Sequence, residues 1–195
     1  CWNPTASIGK QPKPIKGIHN SGWLQSPVAS VKDKPEQWQQ LESYVKDIIG
    51  HFAQDERILY WDLYNEPGNE NRFGKSLPLL KKSFLWARSV KPSQPLTAGV
   101  WESGMLFGSL NKFQLAASDI ITFHNYNDAQ NLAGKIDELQ VHQRPLICTE
   151  WLARTNESNV ATHLPLFKAK NVGAINWGLV AGKSNTIFPW GSKEG

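Results

Sequence analysis

Positions 61–68 carry the stretch Trp61-Asp62-Leu63-Tyr64-Asn65-Glu66-Pro67-Gly68, which decides the fold. Its first half ends an apolar and aromatic run, and such a run is typical of a buried strand. Pro67 and Gly68 cannot continue a β-ladder, so the strand should stop there. The sequence therefore places an amide and a carboxylate side by side at the carboxyl end of a buried strand.

Strands alternate with helices along the rest of the chain. The predicted strands cover 58–64, 96–101, 119–124, 145–149 and 172–179, and the predicted helices cover 33–52, 76–90, 111–117, 158–171 and the residues after Asp128. This alternation predicts a parallel sheet with helices packed outside it. The first helix is expected to start with Asp33 as its capping residue. Because parallel strands all end on one face, the polar residues at the strand ends should converge there.

Residues 1–32 are expected to form a long irregular loop, since four prolines and three glycines interrupt them. A structureless stretch of this length is unusual inside a domain and is often functional. His19, Asn20, Trp23 and Gln25 either face a ligand or pack as ordinary loop residues. The chain does not begin with Met, which suggests a fragment or a processed product.

Composition favours a single domain over residues 1–195. The net charge of +4 is mild and evenly spread, which argues against a nucleic-acid partner, and no stretch is long enough to span a membrane. Cys148 lies in an apolar run and is expected to be buried rather than paired with Cys1. No Cys/His spacing resembles a metal site, and no glycine-rich dinucleotide fingerprint follows a strand. Neither a metal nor another cofactor is expected.

Two carboxylates stand at predicted strand ends, Glu66 and Glu150. Such a pair suits hydrolysis of a glycosidic bond, because one carboxyl group protonates the leaving oxygen while the other attacks the anomeric carbon or activates water. His124 and Tyr126 could orient and tune this pair, and Asn65 could bond to the sugar hydroxyl beside the reacting carbon. The ordinary alternative is that a strand-end glutamate is merely solvated and a lone histidine structural.

Other strand-end residues are less specific. The chain has nine tryptophans, whose flat apolar rings suit sugar faces as well as protein cores. Trp38 and Trp86 lie on helix faces and should pack in the core. Glu102 is a third candidate carboxylate, for which a surface position is the preferred interpretation. Asp62 is expected to be a hydrogen-bonded group of the sheet interior.

The motifs together resemble retaining β-glycosidases of glycoside hydrolase clan A, the cellulase-, mannanase- and xylanase-type (β/α)8 barrels. Asn65-Glu66-Pro67 is similar to the end of the family's fourth strand, and His124-Asn125-Tyr126 to the end of the sixth. Thr149-Glu150-Trp151 is similar to the end of the seventh strand. Trp177 resembles the tryptophan that ends the eighth strand and floors the subsite of the reacting sugar.

The resemblance implies a retaining mechanism with Glu66 as acid/base and Glu150 as nucleophile. It also implies a β-linked oligo- or polysaccharide as substrate, and it favours a secreted or periplasmic location. The implied substrate-binding residues are Asn65, His124, Tyr126, Trp151 and Trp177.

Only strands four to eight of the family barrel have counterparts here. The expected fold is therefore α/β, a partial (β/α)8 TIM barrel of about five parallel strands with outer helices. The Arg and His that the family carries on its first three strands have no counterpart. An incomplete barrel has two open edges, which predicts a homodimer or higher oligomer. The alternative to an active glycosidase is an inactive, self-associating fragment that at most binds sugar.

Overall fold

A computed structural model describes residues 9–15, 17–178, 186 and 188–191, so Cys1 and the predicted strand end at Leu179 lie outside the described residues. Within this part of the chain, five strands alternate with helices. The strands are β1 (Trp61–Asp62), β2 (Leu96–Thr97), β3 (Ile121–His124), β4 (Leu146–Glu150) and β5 (Gly173–Ala174). The α-helices are α1 (Ala29–Lys32), α2 (Gln39–His51), α3 (Leu77–Ser89), α4 (Gly108–Ala117), α5 (Ala129–Gln140) and α6 (Val160–Ala169). The predicted α/β class is confirmed.

All strand pairs are parallel. β1 pairs with β2, while β4 lies between β3 and β5. An isolated bridge between Val100 and Phe123 connects the two groups, and the His124 N–H donates to the Val100 carbonyl at 3.1 Å. The strand order in space therefore follows the order in the chain, as in consecutive strands of a (β/α) barrel.

Apolar residues at helical and strand spacing build the core between the sheet and the helices. The Asp128 side chain accepts a hydrogen bond from the Asn131 N–H and so begins α5 as predicted. One cluster surrounds β3 and β4 and includes Ile121, Phe123, Leu132, Ile136, Leu139, Leu146, Cys148 and Phe167. Cys148 is fully buried, as expected. Trp38 and Trp86 are also buried, and they pack edge to face at 6.4 Å.

Three local expectations are wrong. Residues Ala29–Lys32 form a helical turn inside the stretch predicted to be irregular. Asp33 does not begin a helix as its N-cap but follows α1 as its C-cap; its carboxylate pairs closely with Arg72, and α2 begins only at Gln39 after a 3₁₀ turn. Arg72 is distant in sequence, but its charged hydrogen bonds to the Asp33 carboxylate are stronger than a bond from a local backbone N–H would be. The helix predicted at 111–117 begins earlier, at Gly108.

The middle and the edges of the sheet differ in burial. All four residues of β3 are buried, whereas both residues of β5 are exposed. Leu59, just before β1, is 74% exposed and Ile175, just after β5, is 51% exposed. Asp62 accepts a hydrogen bond from Thr122 at 3.2 Å but is exposed, because β1 has no second neighbour among the described residues. None of the described helices is long and apolar enough to cross a membrane.

Candidate active site

Glu66 is presented by a tight turn beyond β1. Its φ of 43° lies in the left-handed region, which is uncommon for a residue with a side chain. Gly68 in the same turn has φ +88°, and a Cβ there would come within 2.7 Å of Leu110 Cδ1. The Trp101 indole N–H donates to the Pro67 carbonyl at 3.0 Å. Turn chemistry and close packing, rather than a β-ladder, therefore set the position of Glu66.

Glu150 is presented by β4 itself. The register between β3 and β4 pairs Phe123 with Cys148, then shifts so that His124 pairs with Glu150. Such a bulge redirects side chains, and bulges are frequent beside active sites. The Asn125 N–H also donates to the Glu150 carbonyl at 3.0 Å, which fixes the strand end. The shift brings the Glu150 carboxylate to the same side of the sheet as the His124 imidazole.

The side chains at these strand ends form one hydrogen-bonded group. His124 Nδ1 lies 3.0 Å from Glu66 Oε1 and 3.5 Å from Glu150 Oε2. The Tyr126 hydroxyl donates to Glu150 Oε2 at 2.6 Å, and the Asn69 amide donates to Glu66 Oε2 at 2.7 Å. One ligating atom each from Glu66, His124 and Glu150 lies within 4.8 Å of the others. The two glutamates therefore face each other across one site.

Burial and neighbouring charge shift the pKa values of this group. Burial raises the pKa of Glu150, and the proximity of Glu66 adds to the rise, while His124 and the Tyr126 hydroxyl oppose it. Burial alone would lower the pKa of His124, but the Glu66 hydrogen bond and the charges of Glu150, Glu66 and Asp62 outweigh it, so that pKa is raised. Burial, together with Glu150, raises the pKa of Tyr126 and keeps its hydroxyl a donor.

The remaining predicted binding residues differ in how exposed their side chains are. Asn65 is exposed in the segment between β1 and Glu66. Trp177 is partly exposed after β5 and packs edge to face with Trp23 at 6.1 Å. Trp151 is only 2% exposed, because its ring stacks on His163 in the core. The expectation that Trp151 contacts sugar is therefore corrected to a packing role.

The two ends of the described chain contribute residues to this face. Trp190 lies 4.9 Å from the Tyr126 ring, between centroids, and 6.0 Å from that of His19. His19 Nε2 lies 2.8 Å from the Phe188 carbonyl oxygen. His19 and Gln25 are each 8% exposed and thus follow the packing interpretation, whereas Trp23 is 46% exposed. From the sequence, Trp190 is one of the tryptophans suited either to a sugar face or to a core, and Asn69 has no assigned role because no local pattern connects it with the site.

A cleft of about 790 Å³ opens beside Glu66, His124 and Tyr126. A second cleft of about 520 Å³ adjoins it, and Trp101, Glu102 and Ser103 line both. Glu102 is exposed and lines both clefts, so it belongs to the surface of the groove rather than to the hydrogen-bonded group of Glu66 and Glu150. Together the clefts make a groove suited to an extended ligand.

The donor set of Glu66, His124 and Glu150 could also ligate a cation, since two carboxylates and an imidazole are common ligands. Their ligating atoms already pair with one another, with Nδ1 of His124 facing an oxygen of each glutamate. The arrangement serves equally well to move a proton and to hold a nucleophilic carboxylate.

Comparison with known proteins gives the fold. No family model matches the chain, and no curated protein matches it. A β-glucuronidase from Bacteroides uniformis, bound covalently to cyclophellitol-6-carboxylate aziridine, is similar over 79% of this chain with a TM-score of 0.65 and 14% identity. An endo-β-1,4-xylanase from Gloeophyllum trabeum is similar over 76% of the chain, with a TM-score of 0.54 and 14% identity.

An intracellular xylanase from Thermoanaerobacterium saccharolyticum, solved as a mutant with xylotriose, is similar over 72% of the chain with a TM-score of 0.54 and 19% identity. The chain spans 23% of the glucuronidase and 58% and 55% of the two xylanases. Its fold is thus part of a TIM barrel similar to the barrels of these glycosidases, which confirms the partial barrel expected from the sequence.

Proposed function

We propose that this chain hydrolyses β-glycosidic bonds in polysaccharide of the xylan, cellulose or mannan type, with Glu66 as acid/base and Glu150 as nucleophile. The observation that carries the proposal is the approach of Glu66, His124 and Glu150 to within 4.8 Å at the carboxyl ends of parallel strands. In barrels of this kind that face is where chemistry is done.

The spacing of the carboxylates favours retention of configuration. Retaining glycosidases hold their two carboxyl groups about 5–5.5 Å apart, whereas inverting enzymes need about 6.5–9.5 Å to admit a water molecule. One oxygen of Glu66 and one of Glu150 lie within 4.8 Å of each other, which is on the retaining side of these two ranges. Direct attack by one carboxylate is the chemistry that fits.

The first step joins a Glu150 oxygen to the anomeric carbon as the bond to the leaving oxygen breaks, and Glu66 gives its proton to that oxygen. In the second step water bonds to the anomeric carbon, its proton passes to Glu66, and Glu150 departs as a carboxylate. The Tyr126 hydroxyl donates to Glu150. It orients this carboxylate before the attack on the anomeric carbon and again after Glu150 departs. These steps use no cofactor.

The substrate-binding roles follow from exposure and position. Asn65 is exposed beside Glu66 and is assigned the sugar hydroxyl next to the reacting carbon, where a hydrogen bond strengthens in the transition state. Trp177 is partly exposed after β5 and is assigned the floor beneath that sugar. His124, which faces both carboxylates, is a positioning residue for them.

The test is release of 4-nitrophenol from aryl β-xyloside, β-glucoside and β-mannoside by the wild type and by the Glu66→Gln and Glu150→Gln variants. Wild-type release that both variants lose supports the proposal. If all three proteins are folded by circular dichroism and equally inactive, the alternative holds: an inactive barrel fragment that at most binds sugar.

We also propose that the chain self-associates through its open edges. The support is the exposure of Leu59 just before β1 and of Ile175 just after β5, since each of these two strands has one partner among the described residues. Light scattering at micromolar concentration should give a dimer or larger species, and Ile175→Lys should shift it toward monomer. Val160→Lys, at a 53% exposed helix position, is the control. A monodisperse wild-type monomer would overturn this proposal.

A further inference from the structure

The groove is asymmetric about the catalytic pair. Glu66 lines the 790 Å³ cleft, whereas Glu150 and Trp177 do not. In the proposed mechanism Glu66 protonates the departing oxygen, so the sugar attached to that oxygen lies on the Glu66 side. The cleft between residues 101–103 and α5 therefore belongs to the leaving group.

The charged side chains that line this cleft are mostly acidic. Its acidic side chains are Glu66, Glu102, Asp128 and Glu138, and among its described lining residues Lys135 alone carries a permanent positive charge. In the proposed mechanism Glu66 is protonated when substrate binds and Glu138 is offset by Lys135, so the unbalanced negative charges are those of Glu102 and Asp128. The Lys135 ammonium lies 3.1 Å from Glu138 Oε2 and donates to Ser103 Oγ at 3.1 Å, with its side chain only 10% exposed. This cation is thus already paired within the cleft wall.

The other polar groups of the cleft suit hydroxyl groups. Side-chain amides line it at Asn125, Asn127, Gln130 and Asn131. The amides of Asn125 and Asn127 both donate to Asn131 Oδ1, and this network holds the wall while its further N–H groups and the Gln130 amide present donors and acceptors to a ligand. A hydroxyl group can pair with either half of an amide, whereas a carboxylate needs donors or a cation. A ligand carboxylate here would face like charges without an available cation, which favours rejection.

Trp101 supplies the apolar surface. Its indole is partly exposed, lines both clefts, and is fixed by the Nε1 bond to Pro67 and by edge contact with Phe107 at 5.5 Å. A rigid aromatic ring loses little entropy on binding and suits the apolar face of a sugar. The first cleft alone has a volume within the range of about 300–1,000 Å³ that drug-sized ligands occupy.

We propose that this groove binds the leaving-group side of an uncharged β-linked chain against Trp101, and that its carboxylates exclude chains built of uronic acids. The inference rests on the proposed function for the direction of the chain. It deepens that function by naming a neutral backbone as the substrate class. Continuation of the groove past Trp101 into the second cleft favours internal rather than terminal cleavage.

The test compares ligands that differ only in charge. Mannotetraose and tetramannuronate are both β-1,4-linked and differ in oxidation at C6, and cellotetraose and xylotetraose extend the neutral set. Calorimetric titration of the Glu150→Gln variant, which holds the chain uncut, should give a Kd at least about tenfold lower for a neutral tetramer than for tetramannuronate. Equal affinity for the matched pair, or no binding of any neutral tetramer, would overturn the inference.

Two substitutions on the same background locate the effect. Trp101→Ala should weaken neutral binding by about tenfold, with Tyr44→Ala, an exposed aromatic on α2, as the control. Glu102→Gln should tighten tetramannuronate binding by about twofold to fivefold, with Glu36→Gln as the control. A shift of the Trp101 indole N–H resonance by the neutral tetramer, assigned through Trp101→Phe, provides the readout if the alanine variant fails to fold.

The two proposals fail separately. Neutral binding that depends on Trp101 in a protein without hydrolytic activity would reject the proposed function and leave a neutral-chain binding groove. Hydrolysis without discrimination between mannotetraose and tetramannuronate would keep the function and reject the groove's selectivity.

Discussion

The two carboxylates reach the site by different structural means. Glu150 ends a five-residue strand that has a neighbour on each side, and the β3–β4 register sets its position. Glu66 follows a two-residue edge strand and depends on a left-handed turn closed by Pro67 and Gly68. The proposed nucleophile, Glu150, is thus held by the sheet, and the proposed acid/base, Glu66, is held by a turn.

This difference matches what the two roles demand. A nucleophile must be held about 3–3.5 Å from the carbon that it attacks, with its lone pair aligned, and a ladder inside a sheet supplies that precision. A proton donor needs hydrogen-bond reach to the leaving oxygen and tolerates tightening when substrate binds. The edge position of Glu66 also opens it to the leaving-group cleft.

The largest effect should separate the two carboxylates by leaving group. Glu150→Gln should lower kcat/KM by at least about 10⁴-fold on every aryl β-glycoside, since no covalent intermediate forms. Glu66→Gln should cost about 10²–10⁴-fold with 4-nitrophenol as leaving group but far less with 2,4-dinitrophenol, which departs without a proton. Steady-state kinetics with both leaving groups measures kcat/KM for the two variants, with Glu157→Gln as the control. Equal losses across both leaving groups would contradict the assignment of roles.

The turn that holds Glu66 should be the more fragile of the two supports. Gly68→Ala should destabilise the protein by about 2–4 kcal/mol, because the added Cβ meets Leu110 and the φ of +88° is strained. Gly134→Ala is the matched control in α5, where a Cβ meets nothing within 4 Å and alanine favours the helix. Urea unfolding measures the free energy of unfolding of both variants and of the wild type. A Gly68→Ala variant as stable as Gly134→Ala would show that the turn is not needed.

Tyr126 should matter on the Glu150 side. Tyr126→Phe removes the hydroxyl that donates to Glu150 Oε2 at 2.6 Å, and a hydrogen bond to a charged group is worth about 1.5–3 kcal/mol. We therefore expect kcat to fall by about tenfold to a hundredfold in a variant that stays folded. Unaltered kcat in a folded variant would remove Tyr126 from the positioning of the nucleophile.

The smallest effect concerns pH and stability. The folded state raises the pKa of Glu150 above its ordinary value of 4.5, so folding holds this proton more tightly than the unfolded chain does, and stability falls as pH rises through the folded pKa. Glu150→Gln should therefore melt at a higher temperature than wild type at pH 7.5, and the gain should vanish below pH 4.5. Calorimetric melting curves at both pH values provide the measurement. A gain that is equal at the two values would contradict this ionic origin.

The strand ends of the site could be predicted from sequence because local patterns carry them. An apolar run cut off by Pro67 and Gly68 places Glu66, and the run before Glu150 places the second carboxylate. His124 and Tyr126 follow from their place at the end of another buried strand. Local pattern was sufficient wherever one strand end supplied the residue.

The predictions from sequence were wrong where tertiary packing, or the alternation of side chains between the two faces of a strand, decides the position of a residue. Trp151 follows Glu150 directly, and neighbouring residues on a strand point to opposite faces, so a site-facing Glu150 sends Trp151 into the core. The left-handed turn at Glu66 and the bulge beside His124 have no signature in a single sequence. The contact of Trp190 with Tyr126 joins distant parts of the chain, which local patterns do not encode.

The stereochemistry of the first product tests the central claim most directly. Proton NMR of a β-xyloside, β-glucoside or β-mannoside during the first minutes of hydrolysis, before mutarotation, identifies the anomer that the protein releases. Two carboxylates within 4.8 Å predict the β-anomer first. Release of the α-anomer first would contradict attack by Glu150 and would require a water molecule between the two glutamates.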